Sequence, residues 1–189
     1  MTINPLKIGF TPDEFDAYVK KINPRMFTEP SSGAKTPILG AVLHNTYMPD
    51  LKMVQGYLDA KKWDEPHLIE NWWTLYRQKA WQSGPHIFIF PTKIYVATPL
   101  DVRGTHSPSY NRNYWGIEII GDYSHEILPD NMRYMAERVL KAFYHQIAVS
   151  AVDKNFHFHG EDVKSTHHFC PGSGVGPKTA WLAKINSVA

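Results

Sequence analysis

The chain has 189 residues, of which 43% are hydrophobic and 20% charged, as is typical of a globular protein of one domain. Its formal net charge of +2 and its lack of Lys/Arg runs argue against a nucleic-acid partner, and its single cysteine excludes an internal disulfide. The first ten residues lack the apolar core of a signal peptide, and no apolar run reaches the length of a membrane span. We therefore expect synthesis in the cytoplasm and no membrane insertion.

The N-terminal segment, residues 1–37, is predicted to hold one helix and a loop. Thr11 is suited to be a helix N-cap, Pro12 to the first helical position, and two acids follow in the first turn. Apolar residues then recur at helical spacing, which predicts a helix over about 12–22. Residues 23–37 are rich in Pro, Ser and Gly and are predicted as a loop.

The first predicted core strand, residues 38–43, is a short apolar run that leads directly to His44. A histidine at the end of such a strand either lines a site or is a core histidine bonded to backbone, and this stretch alone favours the second interpretation. Two helices are predicted next, over about 50–62 with Asp50 as N-cap and over about 66–81. Core packing is favoured over sugar stacking for the aromatic stripe of the second helix, which consists of Trp72, Trp73, Tyr76 and Trp81.

A buried acid marks the next run of strands. Residues 86–90 and 93–97 are predicted to form a hairpin, and a polar loop follows over 99–113. The apolar run 114–121 is predicted as a buried strand that contains Glu118. Burying a carboxylate is costly unless it is paired or bound to a metal, so Glu118 is either half of a structural ion pair or a functional group with a shifted pKa.

The remaining chain is predicted to form a long helix from Asp130 to about residue 149, a strand over 154–159 that delivers His159, and a C-terminal helix over 177–186. There is no internal repeat or linker. The order of elements predicts an α/β (α+β) fold, a single domain with a central mixed β-sheet flanked by helices.

Histidines and the one cysteine indicate a metal site. His159 and Cys170 lie on one short His-rich stretch, and His44 ends another core strand. Imidazoles and a thiolate suit zinc, and three protein ligands leave a fourth position open for catalysis. The spacing is no zinc-finger signature, and other histidines compete as ligands, namely His86, His106, His157, His167 and His168.

Four motifs follow one another along the chain. They are Leu43-His44-Asn45-Thr46, Gly84-Pro85-His86-Ile87-Phe88-Ile89, Gly116-Ile117-Glu118-Ile119-Ile120-Gly121, and His159 followed by Thr166-His167-His168-Phe169-Cys170-Pro171-Gly172. Together they resemble the zinc-dependent N-acetylmuramoyl-L-alanine amidases of the amidase-2 family, which includes phage lysozyme-type amidases and the peptidoglycan recognition proteins. The resemblance covers about residues 38–172 and leaves 1–37 and 173–189 outside.

The resemblance implies roles for the residues that match the family motifs. His44, His159 and Cys170 match the ligands of one zinc ion per chain, and Glu118 matches the catalytic glutamate. The positions that it assigns to substrate binding are His86, His106, Asn111 and Thr166.

Two positions depart from the family pattern. Many hydrolytic members carry a lysine two residues before the third zinc ligand, where this chain has His168, and we expect His168 to donate to the oxyanion in its place. Some members carry a tyrosine just before the position of His86, where this chain has Pro85. We expect Glu118 to serve as the base instead.

The function implied by the resemblance is hydrolysis of the amide bond between N-acetylmuramic acid and L-alanine, in peptidoglycan or a muropeptide, by a monomeric enzyme. We expect a phage or prophage endolysin that acts on the cell wall after release. A cytoplasmic amidase that recycles wall fragments and an exported effector are alternatives. Two alternatives belong to other functional classes. One is a non-catalytic peptidoglycan-binding module, and the other is a protein with a structural zinc, or with no metal and Cys170 as a buried core thiol.

Overall fold

A computed structural model describes residues 3–187, and a mixed sheet lies at the centre of the fold. The strands are β1 (Ile8–Phe10), β2 (Met26–Thr28), β3 (Lys35–Pro37), β4 (Gly40–Asn45), β5 (Ile87–Ile89), β6 (Ile94–Val96), β7 (Tyr114–Ile119) and β8 (Phe156–Phe158). The α-helices are α1 (Pro12–Ile22), α2 (Leu51–Asp59), α3 (Glu65–Gln78), α4 (Asp130–Ile147) and α5 (Lys178–Asn186). Two short 3-10 turns, His159–Glu161 and Ser173–Val175, lie between β8 and α5.

The central sheet has six strands in the order β1-β6-β5-β7-β4-β8, while β2 and β3 pair with each other. β1, β6 and β5 are antiparallel neighbours, whereas β5, β7, β4 and β8 run parallel. The predicted mixed α/β fold is therefore confirmed. Because parallel strands end at the same edge of a sheet, the residues that follow β4 and β8 meet there.

Helices cover the two faces of this sheet. Glu118 pairs with Phe88 of β5, and Trp72 of α3 stacks on Phe88 with ring centroids 5.2 Å apart. Trp115 lies three residues before Glu118 and faces the other side of the sheet, where its ring is 4.5 Å from that of Phe143 in α4. Thus α3 lies on the face that bears Glu118, and α4 packs on the opposite face.

The predicted helices and strands are largely confirmed, with shorter ends. Thr11 caps α1 in a capping box with Glu14, and the Asp50 carboxylate accepts a hydrogen bond from the backbone of Met53 at 2.7 Å. The helix after Asp50 ends at residue 59 rather than about 62, and the long helix ends at Ile147 before a left-handed Ala148. None of the helices in residues 3–187 combines the length and the apolar character needed to cross a membrane.

Two elements were missed. The strand Ile8–Phe10 joins the sheet edge by pairing with β6, and the segment predicted as a loop over 23–37 contains the β2–β3 pair. Each of these strands has three residues, too few to show an alternating pattern, and β3 ends in a proline. These strands are defined by their pairing with another strand. The local sequence therefore shows no periodicity from which they could be predicted.

Candidate metal centre and catalytic cleft

Three side chains converge at the carboxyl edge of the parallel strands. Leu43 of β4 pairs with Phe158 of β8, so His159 comes to lie beside His44, with ring centroids 4.3 Å apart. Cys170 returns on the following loop. The ligand atoms of His44, His159 and Cys170 all lie within 4.8 Å of one another, which makes this trio, predicted as zinc ligands, a candidate metal site.

The two histidines are prepared to bind a metal through one nitrogen each. Nε2 of His44 is 3.1 Å from Nδ1 of His106, and Nε2 of His159 is 2.9 Å from Oγ of Ser165. Nδ1 of each ring is thus left for another partner. Burial, with repulsion between neighbouring histidines, lowers the pKa of His44 well below its usual value and that of His159 to about 4. Both rings are therefore neutral, as metal ligands must be.

Cys170 completes a ligand set that fits zinc. The backbone N–H of Asn45 donates to its sulfur at 3.4 Å. Burial, and secondarily the charge of Glu118, raises the pKa of the thiol, so a nearby cation is needed to hold it as a thiolate. Tetrahedral zinc with two nitrogens and one sulfur places the ligand atoms about 3.3–3.6 Å apart, a spacing that the observed cluster can accommodate.

Glu118 stands next to these residues. It pairs with His44 across β4 and β7, and its Oε1 lies 3.9 Å from Nδ1 of His44. The residue is 9% exposed, and burial raises the pKa of its carboxyl to about 8. Within residues 3–187 its ion-pair contact is to this histidine and not to Lys or Arg, so the geometry favours a functional carboxyl over half of a structural ion pair.

The site opens into a cavity of about 470 Å³. Its lining includes the predicted ligands together with Glu118, His106 and His167. The residues that follow β4 also line it. The rest of the lining comes from α3 and the segment after it, through Trp72, Leu75, Tyr76, Lys79, Trp81 and Pro85.

The aromatic stripe of α3 is therefore divided between core and cavity. Trp73 is 1% exposed and belongs to the core, as predicted. Trp72, Tyr76 and Trp81 line the cavity, and the rings of Tyr76 and Trp81 stack at 5.0 Å. The core interpretation is thus incomplete, because a large part of the stripe faces the site.

Three of the four predicted substrate-binding residues, namely His86, Asn111 and Thr166, lie outside the cavity lining. His86 is fully buried, its Nδ1 accepts a hydrogen bond from the backbone of Gly116, and its Nε2 donates to the carbonyl of Val102, both at 3.0 Å. It is therefore a core histidine. Oδ1 of Asn111 accepts hydrogen bonds at 2.7 Å from two consecutive backbone N–H groups, the first that of His106. Asn111 thus shapes the loop rather than facing the cavity.

His106, also predicted to bind substrate, does line the cavity, where its ring contacts that of His44. It is 6% exposed, and its Nε2 lies 3.0 Å from the carbonyl oxygen of Tyr114. Burial lowers its pKa to about 4. Both ring nitrogens are thus engaged by the protein, which leaves little room for a direct substrate contact.

The turn before Cys170 presents a different histidine from the one predicted. His167 lines the cavity, with its ring 5.4 Å from that of His159. Thr166 and His168 are exposed and stand outside the lining. The carbonyl of His167 accepts a hydrogen bond from the backbone of Cys170 at 3.1 Å, so the two histidines lie in a tight turn. His167 rather than His168 therefore lines the cavity, and the roles expected of His168 and Thr166 stay predictions.

Two further residues near the site were not predicted as site residues from the sequence. Tyr76 lines the cavity, and burial together with the charge of Glu118 raises the pKa of its hydroxyl. The missing tyrosine before His86 was a signal to look for another, yet the helical stripe indicated packing. Asp162 is 1% exposed and joins two loops of the site, but nothing distinguishes it from other loop acids in the sequence.

Comparison with known proteins agrees with this arrangement. The family Amidase_2, described as N-acetylmuramoyl-L-alanine amidase, matches residues 34–173. This range includes β4 with His44 and the loop with Cys170. The chain belongs to this amidase family. A search of curated protein sequences found no match.

Solved structures of the family share the fold at low sequence identity. The N-acetylmuramoyl-L-alanine amidase LysC from Clostridium intestinale URNW is 19% identical, with a TM-score of 0.61 over 86% of this chain and 98% of that one. Wild-type Drosophila PGRP-LB is 21% identical, with a TM-score of 0.56 over 73% of this chain and 76% of that one. Peptidoglycan recognition protein-LE in complex with tracheal cytotoxin, a monomeric peptidoglycan, is 15% identical, with a TM-score of 0.58 over 91% and 83%. At these identities the likeness concerns the fold.

Proposed function

We propose that this amidase-family protein is a zinc hydrolase that cleaves the amide bond between N-acetylmuramic acid and L-alanine of peptidoglycan. The observation that carries the proposal is the convergence of His44, His159 and Cys170 within 4.8 Å, with the Glu118 carboxyl 3.9 Å from one of them. Structural zinc sites are closed by four ligands, whereas three ligands beside an open cavity are typical of catalysis.

The residues of the site divide the chemistry among them. A zinc ion bound by the trio would act as a Lewis acid that polarises the substrate carbonyl and acidifies water. Glu118 takes a proton from the attacking water and passes it to the leaving nitrogen as the C–N bond breaks. The products are the lactyl carboxylate and the free amine of L-alanine. His167 and Tyr76 line the cavity, and their side chains are candidates to donate to the developing oxyanion.

The test is a substitution that removes the proposed base, Glu118, and preserves the shape of its side chain. Glu118→Gln should retain bound zinc and affinity for muropeptides while kcat falls by roughly 10²–10⁴-fold, the usual contribution of a positioned acid-base group. Zinc content, binding to purified sacculi and release of peptides from them should be measured together. If the wild type binds sacculi and releases nothing, the chain is a binding module, the alternative suggested by its likeness to the recognition protein bound to tracheal cytotoxin.

We further propose that the substrate in the cell is the polymeric wall, as for an endolysin. The endolysin amidase LysCS from Clostridium intestinale URNW is a structural neighbour at 18% identity, with a TM-score of 0.58, and the cavity is an open cleft with an aromatic wall. An endolysin should have the higher kcat/KM on intact sacculi, whereas a recycling amidase should prefer small soluble muropeptides. A strong preference for soluble fragments would overturn this assignment.

A further inference from the structure

We infer that His106 is a positioning residue for the metal ligand His44, because its imidazole selects the tautomer of His44 whose Nδ1 is free to bind a metal. The inference rests on the proposed metal centre, and it assigns His106 a role other than the substrate contact expected from the sequence.

The tautomer of His106 follows from its partner in the backbone. Its Nε2 lies 3.0 Å from the carbonyl oxygen of Tyr114, and a carbonyl oxygen can only accept a hydrogen bond. Nε2 of His106 therefore carries the proton and donates it. In a neutral imidazole the other nitrogen, Nδ1, then has a lone pair and acts as an acceptor.

The tautomer of His44 follows from that of His106. Nδ1 of His106 is 3.1 Å from Nε2 of His44, and two acceptors cannot share a hydrogen bond, so Nε2 of His44 must be the donor. His44 in its neutral form then has an unprotonated Nδ1. That atom faces the site, where it lies 3.9 Å from Oε1 of Glu118. A metal ligand whose second ring nitrogen donates to a fixed acceptor is also held in orientation.

The surrounding chain fixes the position of His106. The Asn111 side chain accepts hydrogen bonds from the backbone of His106 and of Ser107 at 2.7 Å, which anchors the start of the loop. Asp162 binds Oγ of Ser107 at 2.6 Å from the other side. Below the ring lies Gly116 of β7, where a Cβ would overlap atoms of the His106 side chain. Contacts from the loop and from β7 thus hold the imidazole of His106 in place.

The first test reads the tautomers in the metal-free protein. Long-range proton–nitrogen correlation spectra of the ¹⁵N-labelled wild type, recorded with a chelator at neutral pH, should show both His44 and His106 protonated at Nε2. If His44 is instead protonated at Nδ1, the inference is wrong. This measurement requires neither activity nor a variant that folds.

The second test compares two replacements by their zinc affinity, measured by competition with a chromogenic chelator. His106→Leu keeps bulk but removes the acceptor, and it should raise the zinc Kd by about 10- to 100-fold, as is usual for loss of such a partner. His106→Asn places its Oδ1 near the former Nδ1 and should restore most of the affinity. The matched control is His86→Leu, another buried histidine bonded to backbone, which should reduce Tm but leave the zinc Kd within about 3-fold.

The outcomes separate this inference from the proposed function. Wild-type protein that binds no zinc would remove the metal centre and the role of His106 with it. Zinc bound equally tightly by wild type and His106→Leu would leave the metal centre intact and refute the positioning role. Equal loss of affinity in the Leu and Asn variants would show that the imidazole acts by packing and would also refute it.

Discussion

Asp162 offers the sharpest quantitative prediction, because its carboxylate joins the loop that holds His106 to the loop that carries two proposed zinc ligands. It accepts hydrogen bonds from Oγ of Ser107 and Oγ of Ser109, both at 2.6 Å, and from the backbone N–H groups of Ser109 and Lys164 at 2.9 Å. Asp162→Asn preserves the shape but removes the charge and places an amide among these donors. We expect lower stability and a looser metal site.

The magnitude follows from the pKa of the carboxyl. Burial opposes its ionisation, but the hydrogen bonds from Ser107, Ser109 and Lys164 outweigh burial and lower the pKa from 3.8 to about 2. A shift of about 1.8 units corresponds to roughly 2.5 kcal/mol of stability at neutral pH. Since the pKa is lowered in the folded state, this contribution is complete well above pH 4 and is lost as the pH falls towards 2. It should be about half as large at pH 3.

The assay is urea denaturation of the metal-free wild type and Asp162→Asn at several pH values between about 7 and 2.5. The stability difference between the two proteins should shrink by about 1 kcal/mol between neutral pH and pH 3. The control is Asp153→Asn, since Asp153 is an exposed acid paired with Lys178 at 2.7 Å. This variant should lose far less stability than Asp162→Asn. A difference between wild type and Asp162→Asn that does not change with pH would refute the reasoning.

Three further predictions concern the site. Cys170→Ala should lose most of the bound zinc and all measurable hydrolysis, and stoichiometric zinc in this variant would show that another residue is the third ligand. His167→Ala should reduce kcat by roughly 10²-fold, as for an oxyanion donor, while His168→Ala should stay near wild type; the reverse result in steady-state kinetics would restore the expectation from the sequence. Trp81→Ala should raise KM by about 5-fold with little change in kcat, since it removes an aromatic contact worth ~1 kcal/mol, and an unchanged KM would exclude this wall from substrate binding.

The sequence predicted those features of the molecule that depend on local pattern. Predicted strands ended at His44 and His159, and because parallel strands end at one edge of a sheet, the two residues lie together. Glu118 was recognisable as an acid inside a buried strand, and the register places it opposite His44. Strand ends and a buried acid marked these residues as candidates, and the resemblance to the family indicated that they act together.

Features set by tertiary packing were not predictable in this way. The histidine that faces the cavity depends on backbone dihedrals in the turn before Cys170, and the sequence does not distinguish His167 from His168 there. A stripe on a helix shows that one face is covered, but not that part of it, such as Tyr76 and Trp81, lines a cleft. His106 appeared to be a loop residue. Its contact with His44 depends on the absence of a side chain at Gly116, which leaves room for the His106 ring.

The central claim, that this site is a muramoyl-alanine amidase, is tested most directly by identifying the bond that is cut. Purified sacculi should be digested with the zinc-loaded wild type, and the new amines and new reducing sugars should be labelled and analysed by mass spectrometry. We expect new N-terminal L-alanine and no new reducing ends with the wild type, and neither product with Glu118→Gln. New reducing ends, or new amino termini at other residues of the stem peptide, would contradict it.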